Sequence, residues 1–275
     1  MSETEWDALQ RFRATQPLRR RVVDGVRWEF LACGQGADSL LLLPGALGWA
    51  ETAFHFITAF APTWRVLSVS YPAGLRALGP CLDGLHELLQ AEGQGPVSVV
   101  GGSYSGVVAQ FLVERHPAAV KRLILAHTGV PTRRQALAAR ALLLLLRLLP
   151  MPVIHALGRG LIGAFLPQTG PMQAFWRRYF YEIIPSFTRA DLLARLAISL
   201  DAARAGLPPG PSGWQGPVLI VQSAHDALVP PAQQTALAAR FPQAWVRTLD
   251  GHGHQDALVA PHAIIALYRD FLERS

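Results

Sequence analysis

The stretch Val97-Ser98-Val99-Val100-Gly101-Gly102-Ser103-Tyr104-Ser105-Gly106 constrains the fold more than any other part of the chain. An apolar strand runs into small residues gathered around one serine, and helix-forming sequence follows at once, up to about Arg115 before Pro117. A strand that turns straight into a helix forces the turning residue into a sharp, strained conformation. Only small neighbours avoid a clash there. The helix N-terminus beneath such a serine favours developing negative charge and offers backbone N–H groups to an oxyanion. Gly-Ser-rich turns also bind phosphates, but the Gly-Lys-Ser/Thr of a P-loop does not follow.

Strand and helix signals alternate around this turn. Arg21–Val23 and Arg27–Ala32 read as strands joined at Asp24-Gly25, a hairpin signal. Strands are predicted at Leu40–Leu43, Arg65–Val69, Val97–Val100, Val120–Ala126, Val218–Val221 and Trp245–Leu249. Helices are predicted at Ala53–Phe60, Leu82–Ala91, Gly106–Arg115, Ala232–Arg240 and Ala257–Glu273. This is the pattern of a mostly parallel, eight-stranded sheet with helices on both faces. The alternation breaks over residues 131–210, which are helix-rich, carry many prolines and contain no convincing strand. The expected organisation is an arm at 1–17, a core of 18–130 and 211–275, and a helical lid insertion at 131–210. At 275 residues and 51% hydrophobic, the chain has enough apolar sequence for one such core with an insertion.

Two further loops carry reactive side chains. The strand Val218–Val221 leads through Gln222-Ser223-Ala224-His225 to Asp226, ahead of Val229-Pro230. By itself Asp226 could be a turn or capping aspartate, and His225 a surface residue. After the strand Trp245–Leu249 comes Asp250-Gly251-His252-Gly253-His254, where glycines let a histidine bend back over the strand ends. Alone, the two histidines could simply face water.

With these residues the chain resembles the α/β-hydrolase family over roughly residues 18–274, the lid apart. The family's G-x-S-x-G is matched at Gly101 and Ser103, with Ser105 in place of the last glycine and Gly106 next. Ser105 is therefore a rival nucleophile, although its distance from the strand favours Ser103. The resemblance places the triad acid at Asp226, before a Val-Pro, and the base at His254, seven residues before Pro261, with His252 as understudy. The order serine, acid, histidine is the fold's own order. The resemblance also puts oxyanion donors at the backbone N–H groups of Ala46 and Tyr104. The usual histidine of that first loop is replaced by Pro44, but Ala46 keeps its N–H. The implied activity is that of a serine hydrolase acting on a carboxylic ester, lactone or thioester. Ser103 at the elbow argues against haloalkane dehalogenases and epoxide hydrolases, which use aspartate there. Pro44-Gly45, Tyr71-Pro72 and the Ser105 variant also resemble maspardin-like members, which implies a rival reading as a non-catalytic binding or scaffold protein.

The remaining composition narrows partners. The net charge of +6 comes almost wholly from arginine spread along the chain, and no nucleic-acid module appears. Cys33 and Cys81 form neither a metal spacing nor a disulfide framework, as suits buried thiols in a reducing cytoplasm. Residues 1–15 have no apolar run, so no secretory signal is expected. The most apolar stretch, Ala141–Leu149, is far short of the roughly 20 residues a membrane span needs. No cofactor or metal is expected. The expected partner is a small acyl substrate, with oligomeric state left open.

In the lid, Arg133, Arg140 and Arg147 recur every seven residues as a narrow stripe on an Ala/Leu-rich helix, which is expected to bury most of its surface. Phe175-Trp176-Arg177-Arg178-Tyr179-Phe180-Tyr181 packs five aromatics into seven residues, expected to form lid core or pocket roof. Both features imply an apolar pocket.

Overall fold

Seven runs rich in β-branched residues and leucine, with one arginine-rich edge strand, hydrogen-bond into one sheet. The computed structural model describes residues 4–166, 171–211 and 213–274, so residues 1–3 of the expected arm and 167–170 of the expected lid lie outside the described residues. The strands are β1 (Arg19–Val23), β2 (Val26–Cys33), β3 (Ser39–Leu43), β4 (Arg65–Ser70), β5 (Val97–Gly102), β6 (Val120–Ala126), β7 (Val218–Ser223) and β8 (Trp245–Leu249). Their order is β1-β2-β4-β3-β5-β6-β7-β8. The pairs β1/β2 and β2/β4 are antiparallel and all others parallel.

Side chains alternate across the sheet, so each strand feeds two cores. Leu41 and Leu43 join Val99, Leu123, Leu125 and Ile220 on one face. Leu40 and Leu42 join Val100, Ile124, Leu219 and Val221 on the other. The first face is covered by α3 (Leu78–Ala91), α4 (Tyr104–Arg115) and α9 (Pro231–Arg240). The second is covered by α1 (Glu5–Thr15), α2 (Phe54–Phe60) and α11 (Pro261–Leu272). At the edge, β1 exposes Arg19–Val22; Arg20 pairs with Glu29 at 2.8 Å and Arg21 with Glu92 at 2.7 Å. Charge on an edge strand discourages pairing with another chain.

Between β6 and β7 lie α5 (Arg133–Leu148), α6 (Met151–Phe165), α7 (Pro171–Ile183) and α8 (Arg189–Ala205). The expectation that the Ala/Leu helix buries most of its surface is overturned. In α5 only Ala139 and Leu146 are buried, while Leu148 is 82% exposed and Leu137, Leu144 and Leu145 also face outward. Its high leucine content reflects helix propensity as well as packing. The aromatic run instead belongs to the central core. Phe175, Trp176, Tyr179 and Phe180 are buried with Phe12 and Phe54, and the Trp176 indole donates to the Leu258 carbonyl at 2.8 Å. The aromatics thus anchor α7 to the sheet. The last expected helix is two pieces, α10 (Asp256–Val259) and α11, broken at Ala260-Pro261, since a proline restricts the residue before it.

Candidate active site

All the reactive side chains sit past the C-terminal ends of parallel strands, where loops of adjacent strands converge. Ser103 follows β5 and is the N-cap residue of α4, with φ 53° and ψ −121°. Three hydrogen bonds hold that strained backbone: Ser103 N–H donates to Ala126 O at 2.9 Å, while Thr128 Oγ1 and Gly106 N donate to Ser103 O at 2.8 and 3.1 Å. The turn needs a glycine at 101, because a Cβ there would lie 2.5 Å from the Ser105 carbonyl oxygen.

The Ser105 side chain is turned inward, away from the His254 ring that meets Ser103. It is fully buried, its hydroxyl lies 2.9 Å from the carbonyls of Leu43 and Gly102, and it accepts from Gly102 N–H at 3.0 Å. The serine in place of the motif's last glycine thus ties the turn to the end of β3. That neighbourhood puts the loop carrying Ala46 beside the turn, since Leu43 and Gly101 are paired in register. Ala46 lies on that loop, and Tyr104 opens α4 directly after Ser103.

Asp226 stands three residues beyond β7 and is buried. Its Oδ1 accepts from the N–H groups of Leu228 and Val229 at 2.8 and 2.9 Å, so it is a turn aspartate as well. His254 lies in the loop after β8. Its Nδ1 is 2.9 Å from Asp226 Oδ2 and 3.1 Å from Oδ1, and its Nε2 is 2.9 Å from Ser103 Oγ. An ionised carboxylate only accepts, so Nδ1 carries the proton and Nε2 offers a lone pair to the serine hydroxyl. His252 and His225 are exposed.

Electrostatics favour this protonation pattern. Burial would raise the Asp226 carboxyl, but the facing His127 and His254 and the Leu228 N–H outweigh it and hold it down at about 2. Burial lowers the pKa of His254, and neighbouring His127 adds to that, against the raising effect of Asp226. A base lowered from its ordinary value stays neutral at neutral pH.

His127 went unnoticed in the sequence. It follows β6 with φ 46°, is buried, and lies between two carboxylates: Nδ1 is 3.5 Å from Asp226 Oδ2 and Nε2 is 3.6 Å from Asp256 Oδ2. The buried Asp256 also accepts from His252 N–H at 2.5 Å. The available signal was a histidine at the C-terminal end of a parallel strand, the edge where such folds place their chemistry.

Ser103 and His254 open onto a cavity of about 370 Å³, lined by Val107, Ala139 and Leu142 among others, with Leu196 and Ile198 of α8. Among the described residues no cluster of His, Cys, Asp or Glu side chains is suited to a metal. No described helix is long and apolar enough to cross a membrane.

Residues 81–261 match the model of the alpha/beta hydrolase fold family. The chain belongs to the α/β-hydrolase family. This α/β-hydrolase is 28% identical over 240 residues to a pimeloyl-[acyl-carrier protein] methyl ester esterase of Aromatoleum aromaticum, covering 75% of this chain and 91% of the relative. Among solved structures, a hydrolase from Pseudomonas aeruginosa superposes with a TM-score of 0.79 at 21% identity, over 94% of this chain and 99% of the other. An esterase from Exiguobacterium antarcticum gives 0.77 at 15% identity, over 93% and 99%. At these identities the two structures establish a shared fold.

Proposed function

We propose that this α/β-hydrolase is a serine esterase that cleaves a carboxylic ester, or a related lactone or thioester, with an apolar portion beside the scissile bond. The observation that carries this reading is the series of contacts from Asp226 through His254 to the Ser103 hydroxyl, each at 2.9 Å. Methyl ester esterases among the relatives lend it weight.

In the proposed reaction His254 Nε2 takes the Ser103 proton as Oγ bonds to the acyl carbon, and Asp226 orients the ring and stabilises its positive charge. The N–H groups of Ala46 and Tyr104 receive the carbonyl oxygen as it gains charge, each worth on the order of 10²–10³ in rate. His254 returns the proton to the departing alcohol. Water, deprotonated by the same histidine, then attacks the acyl-serine, and His254 passes that proton to Ser103 Oγ as the acid leaves. We take residues 131–210 as the lid over this site, because α5 and α8 supply apolar walls to the Ser103 cavity. A cytoplasmic setting fits free Cys33 and Cys81, whose thiols burial pushes up, Cys81 to about 12.

A fluorophosphonate probe and a panel of 4-nitrophenyl esters test the reading together. Labelling of the wild type but not of Ser103→Ala, with turnover of medium-chain esters, is the expected result. A folded protein that takes up no label would instead favour the non-catalytic binding role.

A further inference from the structure

Arg195 on α8 is 5% exposed, yet its Nε and Nη1 have no hydrogen-bond partner among the described residues. An unpaired buried cation is among the costliest arrangements a fold can hold. Arg240, equally buried, differs: its terminal nitrogens bond Glu114 and the Pro208 carbonyl. Within electrostatic reach of Arg195, the phenol oxygens of Tyr71 and Tyr104 are also buried without hydrogen-bond partners among the described residues. Their rings meet edge to face at 5.5 Å. The guanidinium rests over Phe187 at 5.1 Å and against Gly48, where a Cβ would come within 2.3 Å of Nε. Gly48, with φ 70°, lies on the same loop after β3 as Ala46, and its lack of a side chain leaves room for the guanidinium.

Arg195 and Tyr71 line a second cavity, of about 680 Å³, with Trp49 and Thr188. Its acids are already engaged. Glu51 and Glu182 bond Arg13 at 2.7 Å, and Glu29 bonds Arg20 at 2.8 Å. Asp191 lowers the charge imbalance only from a distance, because its carboxylate caps α8 by accepting from Thr188 N–H and Oγ1 at 2.8 and 2.6 Å. Tyr104 lines the Ser103 cavity and Tyr71 the second, so the ring pair is where the two cavities' walls meet.

We propose that Arg195, Tyr71 and Tyr104 form an anion subsite that receives a carboxylate or phosphate group at the end of the substrate remote from the scissile ester. This rests on the esterase reading and refines it: an apolar stem beside Ser103, an acidic terminus at Arg195. An oxyanion would supply the acceptors that the guanidinium and the two hydroxyls lack, and charge-assisted hydrogen bonds are the strong ones.

Two measurements test it. The first compares 4-nitrophenyl octanoate with mono-4-nitrophenyl suberate, which differ by a terminal carboxylate. Wild type should prefer the half-ester, and Arg195→Met should lower the ratio of the two kcat/KM values about 10- to 100-fold. Arg195→Lys should restore part of it, and Tyr71→Phe should lower it less. A ratio unchanged in all three variants, or a wild type that prefers the neutral ester, would overturn the subsite. The second, independent of turnover, follows the melting temperature with octanoate and with octyl phosphate. A larger rise in wild type than in Arg195→Met supports the subsite, and the better of the two ligands identifies the anion; equal rises in both proteins refute it. Failure of both esters to react, with the ligand shifts intact, would sink the esterase reading and leave the subsite standing.

Discussion

His254 Nε2 lies 2.9 Å from the hydroxyl of Ser103, although 151 residues separate them in the chain. That contact arises because β5 and β8 end at the same edge of the sheet, with β6 and β7 between them. Replacing either partner removes the hydrogen bond through which the serine would lose its proton.

Ser103→Ala should lower kcat by on the order of 10⁴- to 10⁶-fold, since members of such a unit act together. Melting temperature should stay close to that of the wild type. Ser105→Ala should do the opposite: fluorophosphonate labelling survives, while stability falls by about 1–3 kcal/mol because Gly102 N–H loses a buried acceptor. Labelling abolished in a folded Ser105→Ala and retained in Ser103→Ala would reverse the assignment.

Asp226→Asn should cost on the order of 10⁴ in kcat. The amide can still accept from Leu228 and Val229 through its oxygen, so the turn persists, but its NH₂ faces Nδ1 and favours the wrong tautomer of His254. Circular dichroism and steady-state kinetics on one sample separate loss of fold from loss of catalysis.

The pH dependence follows from His254. Its pKa lies below the ordinary 6.5, with burial the leading cause, and only the neutral ring can act as base. Activity should therefore fall on acidification, with the midpoint of kcat/KM below 6.5. The Asp226 carboxyl, held at about 2, stays ionised through that window. Its contribution to stability is present above the unfolded aspartate value near 3.8 and disappears as the pH falls through about 2. An acid midpoint above 6.5 would contradict the placement of His254.

His127→Asn tests the neighbour between the carboxylates. Asparagine tolerates the positive φ at this position. Because His127 lowers the pKa of His254, its removal should move the acid limb of kcat/KM to higher pH. The loss of kcat should be modest, about tenfold or less, since Asp226 still accepts the His254 Nδ1–H. An unshifted limb would make His127 a packing residue alone.

Much of this molecule is readable in one dimension. Most of the strands show as apolar runs bounded by turn residues, and the elbow is visible because only small residues fit around a strand-to-helix serine. Local sterics and side-chain alternation act over a few residues, so they leave a local trace. Ser103 and Ser105 show the limit. Both are small hydroxyl residues in one turn, and only the packed structure reveals that Ser105 is spent on the carbonyls of Leu43 and Gly102. The exposed leucines of α5 show it again, because burial is decided by what packs against a helix and not by the helix's own composition.

The α/β order and the sheet are legible in the sequence alone, since side-chain alternation and turn chemistry act between residues a few positions apart. Packing of the whole chain is what sets His127 and Asp256 behind the Asp226 carboxylate, and what buries Arg195 beside Gly48 with its Nε and Nη1 unpartnered among the described residues. Those relationships join residues from separate strands and from the helical insertion. Charges and hydrogen bonds act through space at a few ångströms, and that proximity is set by folding of the whole chain.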